Sequence, residues 1–331
     1  MIPKLDELKK LVDGAQRILI IQADNPDGDS LGSALALESI LGDLGKDVWL
    51  YCGVDIPGYL RYLEGWDRVV QSVPSQFDVS IVVDTSANNL LEKLNASQER
   101  NWVAAKPVVV LDHHKGVECD IPYATLVVNA SQFVSTGELI LQLSKEAGWP
   151  VSVTAGENLL QSILSDTLGL SSDAPKGDTY RRIAELLDSG VSRSKLENAR
   201  RELSKMHPKV FAYKAELINR TEFYNDGRTA VVVIPEDELY DISPLYNPGA
   251  LFLAEVGMVE GVDIGISFKV YKNRVTGAIK CSDNALIAGQ LAETFGGGGH
   301  PFAAGFKIEG NDINFQQIKN DVLAKVTELL G

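Results

Sequence analysis

Short apolar runs, rich in β-branched residues, recur through the first half of the chain, and most end abruptly in an acid. Residues 17–21, 47–52, 79–83, 108–111 and 126–129 read this way, as buried parallel strands rather than half-exposed ones. Helical patterns separate them. Residues 4–15 are amphipathic, a helix runs through Leu41 after Leu31-Gly32-Ser33, Ser135-Thr136-Gly137-Glu138 opens another as a capping box, and a further helix covers 156–165 and ends at Asp166-Thr167. Strands alternating with helices predict an α/β fold: a doubly wound, mostly parallel sheet. Residues 176–206 are helix-rich and charged, and Pro208 marks a break in the chain after them. Past that proline, 229–234 is a strand, 263–271 and 274–281 form a hairpin around Lys272-Asn273, 285–295 is a helix, and Ala303-Ala304-Gly305 leads into a final strand. This divides the chain into an N-terminal domain over 1–188, a helical linker over 189–215 and a smaller α/β domain over 216–331.

Composition narrows the options. The 331 residues carry 31 Lys and Arg against 45 Asp and Glu, so the net charge is 31 − 45 = −14. That excludes coating of long double-stranded nucleic acid, which needs cations to neutralise phosphates, but it leaves room for a small phosphorylated substrate at a local cationic site. Cys52, Cys119 and Cys281 are far apart with no metal or redox spacing, as expected in a reducing cytoplasm. No signal-peptide core opens the chain and no apolar run has the length of a membrane span, so no membrane partner is expected.

The acids at the strand ends carry the chemistry. Asp27 and Asp29 follow the first run, Asp84 the third, and Asp112-His113-His114 the fourth, while Asp166 closes a helix. Any one of them reads equally well as a cap or turn residue. Several strand ends in one doubly wound sheet converge on one rim, however, and clustered carboxylates repel unless a cation sits among them. If residues 27–29 stay extended, Asp27 and Asp29 face the same side. A pair of divalent cations bridged by a carboxylate, with histidine added, would suit manganese or magnesium better than zinc. In the second half, Gly296 to Gly299 precede His300. Glycine runs serve where backbone approaches something closely, and bare N–H groups there can form an anion nest. Lys280 on the hairpin would add a cation, or else is an exposed strand lysine.

Together these motifs resemble the DHH phosphoesterase superfamily, and the resemblance covers nearly the whole chain. Asn25-Pro26-Asp27-Gly28-Asp29-Ser30 is similar to its first motif, Val82-Val83-Asp84-Thr85-Ser86 to the second, Asp112-His113-His114 to the third and Ile163-Leu164-Ser165-Asp166 to the fourth. Gly296–Gly299 with His300, then Ala303-Ala304-Gly305, resembles the glycine-rich signature of the associated C-terminal domain. The branch most similar is the NrnA-type oligoribonuclease and pAp phosphatase. The resemblance implies a two-manganese site in a cleft between domains, with magnesium as a substitute. Asp27, Asp29, Asp84, His113 and Asp166 would be its ligands, Asp84 bridging. His114 would act on the scissile phosphate or the attacking water, with Asp112 orienting a histidine. Lys280, Gly297, Gly298, Gly299 and His300 would hold a substrate phosphate or terminal nucleotide. The implied substrates are short RNA, linear dinucleotides or pAp. Alternatives are cyclic dinucleotide hydrolysis, or a nucleotide-binding module with weakened catalysis. The last is motivated by Ala23, which stands where the family's first motif begins with a histidine, so one metal would lose a ligand. Members of the superfamily often pair through the N-terminal domain, which makes a homodimer the expected assembly.

Overall fold

The computed structural model describes residues 2–331, which form two compact units, one ending at Lys205 and the other Met206–Gly331. The first contains α1 (Leu5–Gly14), β1 (Arg17–Ile21), α2 (Gly28–Asp43), β2 (Asp47–Tyr51), β3 (Val69–Val70), β4 (Val79–Val83), α3 (Glu92–Ala96) and α4 (Glu99–Ala104). It continues through β5 (Val108–Asp112), β6 (Leu126–Asn129), α5 (Thr136–Ala147), α6 (Val153–Asp166), α7 (Gly177–Asp188) and α8 (Arg193–Leu203). Its sheet has the order β3-β2-β1-β4-β5-β6, and every pairing is parallel. The apolar runs are continuous because both faces are covered. Ile18, Ile20, Ile81 and Val109 pack with α2, α5 and α6 residues, while Leu19, Ile21, Val82, Val108 and Val110 pack with Leu91, Leu94 and Val103 on the other face. The doubly wound expectation is met. The strand order reverses between β1 and β4, and a crevice beyond the carboxyl ends of such neighbours is where this architecture binds ligands.

Helices α2 and α6 touch almost backbone to backbone. A Cβ on Gly32 would lie 2.8 Å from the Asn158 carbonyl oxygen, and one on Gly28 would lie 2.6 Å from Ser165 Oγ. Side-chain-free positions therefore let α6 bring its C-terminal Asp166 up to the loop after β1. Ser135 Oγ accepts from the Glu138 N–H at 3.0 Å, but the Glu138 carboxylate turns to the Val134 N–H and to Arg182 rather than back to Ser135. The expected capping box is thus half formed, with an ion pair to α7 in place of its second bond.

The second unit contains α9 (Pro208–Asn219), β7 (Glu222–Tyr224), β8 (Thr229–Pro235), α10 (Glu236–Ile242), α11 (Pro248–Val256), β9 (Ile264–Tyr271), β10 (Arg274–Cys281), α12 (Ala288–Thr294), β11 (Gly298–His300), β12 (Ala303–Glu309) and α13 (Phe315–Leu330). Its sheet order is β11-β12-β10-β9-β8-β7, antiparallel except for the β8–β9 pair. Helices α12 and α13 cover one face, and α9, α10 and α11 cover the other. The final strand read after Ala303 is β12, and α13 follows it. Residues 189–215 divide between the units, with α8 in the first and α9 in the second. Among the described residues no helix is long and apolar enough to cross a membrane.

Candidate metal centre

The loop leaving β1 does not stay extended. Asp27 is the N-cap of α2, and its Oδ1 accepts from the N–H groups of Asp29 (3.0 Å) and Ser30 (2.9 Å). The helix starts at Gly28, so the extended cap residue and the second helical residue point apart: Asp27 is exposed and Asp29 fully buried. This corrects the expectation of a shared face. Asp29 accepts from Ser33 Oγ (2.9 Å), Ser162 Oγ (2.6 Å) and the Thr136 N–H (2.8 Å), which places it between α2, α5 and α6. Asp84 follows β4 at φ 63, a left-handed backbone that a non-glycine residue adopts at a cost. Its Oδ1 accepts from Thr136 Oγ1 at 2.9 Å.

Asp112 is the last residue of β5 and has no solvent exposure. Its carboxylate accepts from Ser86 Oγ (2.5 Å) and from the His113 N–H (2.8 Å), and Oδ1 lies 2.7 Å from His114 Nδ1. It therefore fixes the ring of His114 rather than reaching the cluster itself. His113 points the other way: its Nε2 lies 3.2 Å from Asp166 Oδ2, 3.4 Å from Asp29 Oδ2 and 3.6 Å from Asp84 Oδ1. None of these is aligned as a hydrogen bond, and the buried nitrogen has no partner.

The electrostatics are those of carboxylates crowded together away from solvent. Burial, then the Asp166 charge, raises the Asp29 carboxyl above its ordinary range. Burial, then Asp29 and Asp27, raises Asp84 well above it. For His113, burial pushes the ring down, but Asp166 and Asp29 outweigh it and the net shift is upward. For Asp112, burial pushes up, and the bonds from His114 and Ser86 win and hold it low. Among the described residues two groups have donor atoms all within 4.8 Å of one another: Asp29, His113 and Asp166, and Asp84, His113 and His114. Both include His113. Oxygen-rich donors, mutual repulsion and an orphaned imidazole nitrogen fit a divalent cation. Asp27 belongs to neither group, with one oxygen committed to the helix cap. His114 joins one, which the sequence had placed on substrate instead.

Ala23 is buried, and its methyl offers no donor. Of the neighbouring Asp24, Oδ2 accepts from the Lys93 N–H at 2.8 Å, while Oδ1 is buried without a hydrogen-bond partner.

In the second unit, the glycines form a strand rather than an open nest. Gly298–His300 pair with β12, and a Cβ on Gly297 would lie 2.1 Å from the Gly305 carbonyl oxygen. The close approach is to the sheet's own backbone. His300 and Lys280 both pair with Ala303, from opposite sides, so the three project from one face with the small alanine between. Phe302, which sequence reasoning missed, stacks on the His300 ring, with centroids 5.3 Å apart and planes 3° apart. Its spacing of two from His300 was the available signal.

Residues 17–167 match the family described as DHH family, N-terminal domain. The chain is 27% identical over 331 residues to the bifunctional oligoribonuclease and PAP phosphatase NrnA of Thermus thermophilus, covering 98% of this chain and 93% of that protein. The protein of the same name from Bacillus subtilis is 22% identical over 306 residues, covering 91% and 92%. Among solved structures, an exopolyphosphatase-related protein from Bacteroides fragilis shares the fold at a TM-score of 0.71 and 20% identity, over 98% of this chain and 97% of that one. The strand order, the convergence of acids and histidines at its switch point and the match over residues 17–167 agree: residues 17–167 form a DHH-family N-terminal domain, and the chain is similar to NrnA along its length.

Proposed function

We propose that this chain is a divalent-metal-dependent phosphoesterase that hydrolyses short oligoribonucleotides, linear dinucleotides and pAp. The observation that carries the reading is the orphaned His113 Nε2, ringed by Asp29, Asp84 and Asp166. These four hold the metal, and Asp27 contributes the oxygen not used for capping. Manganese is the preferred ion, because the donor set mixes oxygen with imidazole, and magnesium is a weaker substitute. When bound, such cations supply a more acidic water and neutralise phosphate charge. The chain's own residues do the rest. Asp112 holds His114 through Nδ1, which leaves Nε2 of that half-exposed ring for a phosphate oxygen or for the proton of the attacking water. Lys280 and His300 receive a substrate phosphate, the Gly297–Gly299 backbone forms the strand that carries His300, and the His300–Phe302 stack offers an aromatic surface to a base. Ala23 leaves one of the two metal positions a ligand short and more weakly occupied. Three free cysteines fit residence in a reducing cytoplasm.

The test is hydrolysis of a 5′-labelled short RNA, pAp and a cyclic dinucleotide, in manganese and in chelator. Chelator-sensitive release of mononucleotide or phosphate is expected, and it falls at least about 10³-fold in His113→Ala. Tight nucleotide binding without turnover would replace this reading with a binding module, and a preference for the cyclic substrate would replace the substrate class.

A further inference from the structure

A cavity of about 510 Å³ lies beside the metal centre, within the first unit, and none of the roles assigned above uses it. Gln161, Leu164 and Ser165 of α6, with Leu168 and Gly169 just after it, form one wall. The other wall is α8. Arg193, Glu197, Arg200 and Arg201 stand at i, i+4, i+7 and i+8 and so share a face. Glu197 takes both the Nε and a terminal nitrogen of Arg200 (2.8 and 2.9 Å), and Nε of Arg201 (2.7 Å). Arg201 keeps both terminal nitrogens free, and Arg193 has no partner among the described residues. Three guanidiniums against one carboxylate leave 3 − 1 = +2 in the cavity of a chain whose net charge is −14. Its position is as telling as its charge. Ser165 precedes Asp166 and abuts Gly28, between Asp27 and Asp29. Leu168 and Leu170 flank Gly169 at φ 51 and 75, conformations that cost a leucine free energy and are retained where surroundings demand them. An exposed surface ion-pair face would need neither the cavity nor the strained turn.

We infer that this cavity binds a second phosphate of the substrate, the phosphodiester next to the one being hydrolysed. The inference rests on the phosphoesterase reading. An anionic chain whose centre is itself a cluster of carboxylates repels phosphate, and forked guanidiniums that line one cavity with Ser165, the neighbour of Asp166, offset that repulsion with bidentate geometry.

The test uses the full chain and the double variant Arg193→Gln/Arg201→Gln, which leaves the Glu197–Arg200 pair intact and changes only exposed side chains. With a trinucleotide RNA, KM rises about 5–20-fold while kcat stays within about twofold. A dinucleotide without terminal phosphates, whose single phosphate is the scissile one, changes less than about twofold. In chelator, trinucleotide binding followed by fluorescence anisotropy weakens by the same factor, and the slope of log K against log salt falls by about 0.7, as expected for one lost single-strand phosphate contact. Arg193→Lys/Arg201→Lys restores part of the loss. Equal losses for both substrates would mean a general field effect and would overturn the inference, as would no loss for either. If the wild type hydrolyses no RNA, the phosphoesterase reading fails, and the chelated binding arm still decides the cavity.

Discussion

The two candidate sites differ in how their residues are held. In the first unit Asp29 has three close donors, Asp112 is locked between Ser86 and His114, and the carboxylates are buried together at electrostatic cost. In the second unit His300, Phe302 and Lys280 are exposed, and their backbone is a regular strand ladder. The first arrangement stores repulsion that a cation releases. The second stores none and offers only surface. Loss of a residue in the first should therefore change chemistry and metal-linked stability, whereas loss in the second should change affinity alone.

The largest effect expected is that of Asp84→Asn. The neutral side chain removes the repulsion from Asp29 and Asp27 while keeping a shape that tolerates the left-handed backbone. Activity falls more than about 10³-fold, yet in chelator the unfolding midpoint rises by about 2–6 °C. The wild type shows the matching pH trend. Asp29, Asp84, His113 and His114 all have folded-state pKa values raised above their unfolded ones. Each such group stabilises the fold fully below its unfolded value and loses that contribution as pH rises through its folded value. Above about pH 5, where carboxyls held low such as Asp112 are ionised folded or unfolded, metal-free stability therefore declines, and manganese stabilises more as pH increases. Calorimetry across pH 5 to 8 with and without manganese checks the sign; a manganese effect that shrinks toward pH 8 would sink it.

Next in size is Asp112→Asn. The carboxylate does not reach the cluster, so metal affinity holds while His114 loses its orientation, and kcat drops about 10–100-fold. A matched loss of manganese affinity, measured by titration calorimetry, would move Asp112 among the ligands. The smallest is Phe302→Ala, for which KM with short RNA rises about 3–10-fold with kcat preserved. A fall in kcat alone would contradict a surface role.

Much of the first site was legible because parallel strands are written as apolar runs, and each run's end is a spatial coordinate. Asp84 and Asp112 could be placed on one rim from the sequence alone. Asp27 and Asp29 could not be told apart, since the decision belongs to a helix cap: the backbone turns at Gly28 and sends one carboxylate inward. Different roles for His113 and His114 came from the family resemblance and not from their spacing; the opposite directions of the two rings are set by χ angles that no spacing encodes. In the second unit the glycine run was visible, but its reason was not. A close approach was foreseen to a ligand, and it is met by Gly305 across a two-strand pairing. The two-residue β3 and three-residue β7 and β11 are too short to leave a periodic signal. Helix α13 did leave one, with Phe315, Ile318, Val322 and Val326 at helical spacing behind an Asn314 cap.

The backbone at Asp84 also bears on how such a chain decays over generations. A left-handed φ admits aspartate, asparagine and glycine cheaply and penalises most other residues, so substitutions that preserve the fold at this point fall within a narrow set. Asparagine is a single nucleotide change away. It would spare the hydrogen bond from Thr136 and lift the metal-free protein's stability. A descendant that loses catalysis by this route would remain soundly folded and escape the quality control that removes unstable variants. Inactive copies of this chain should therefore persist as intact proteins, and asparagine at position 84 is the mark by which they would be known.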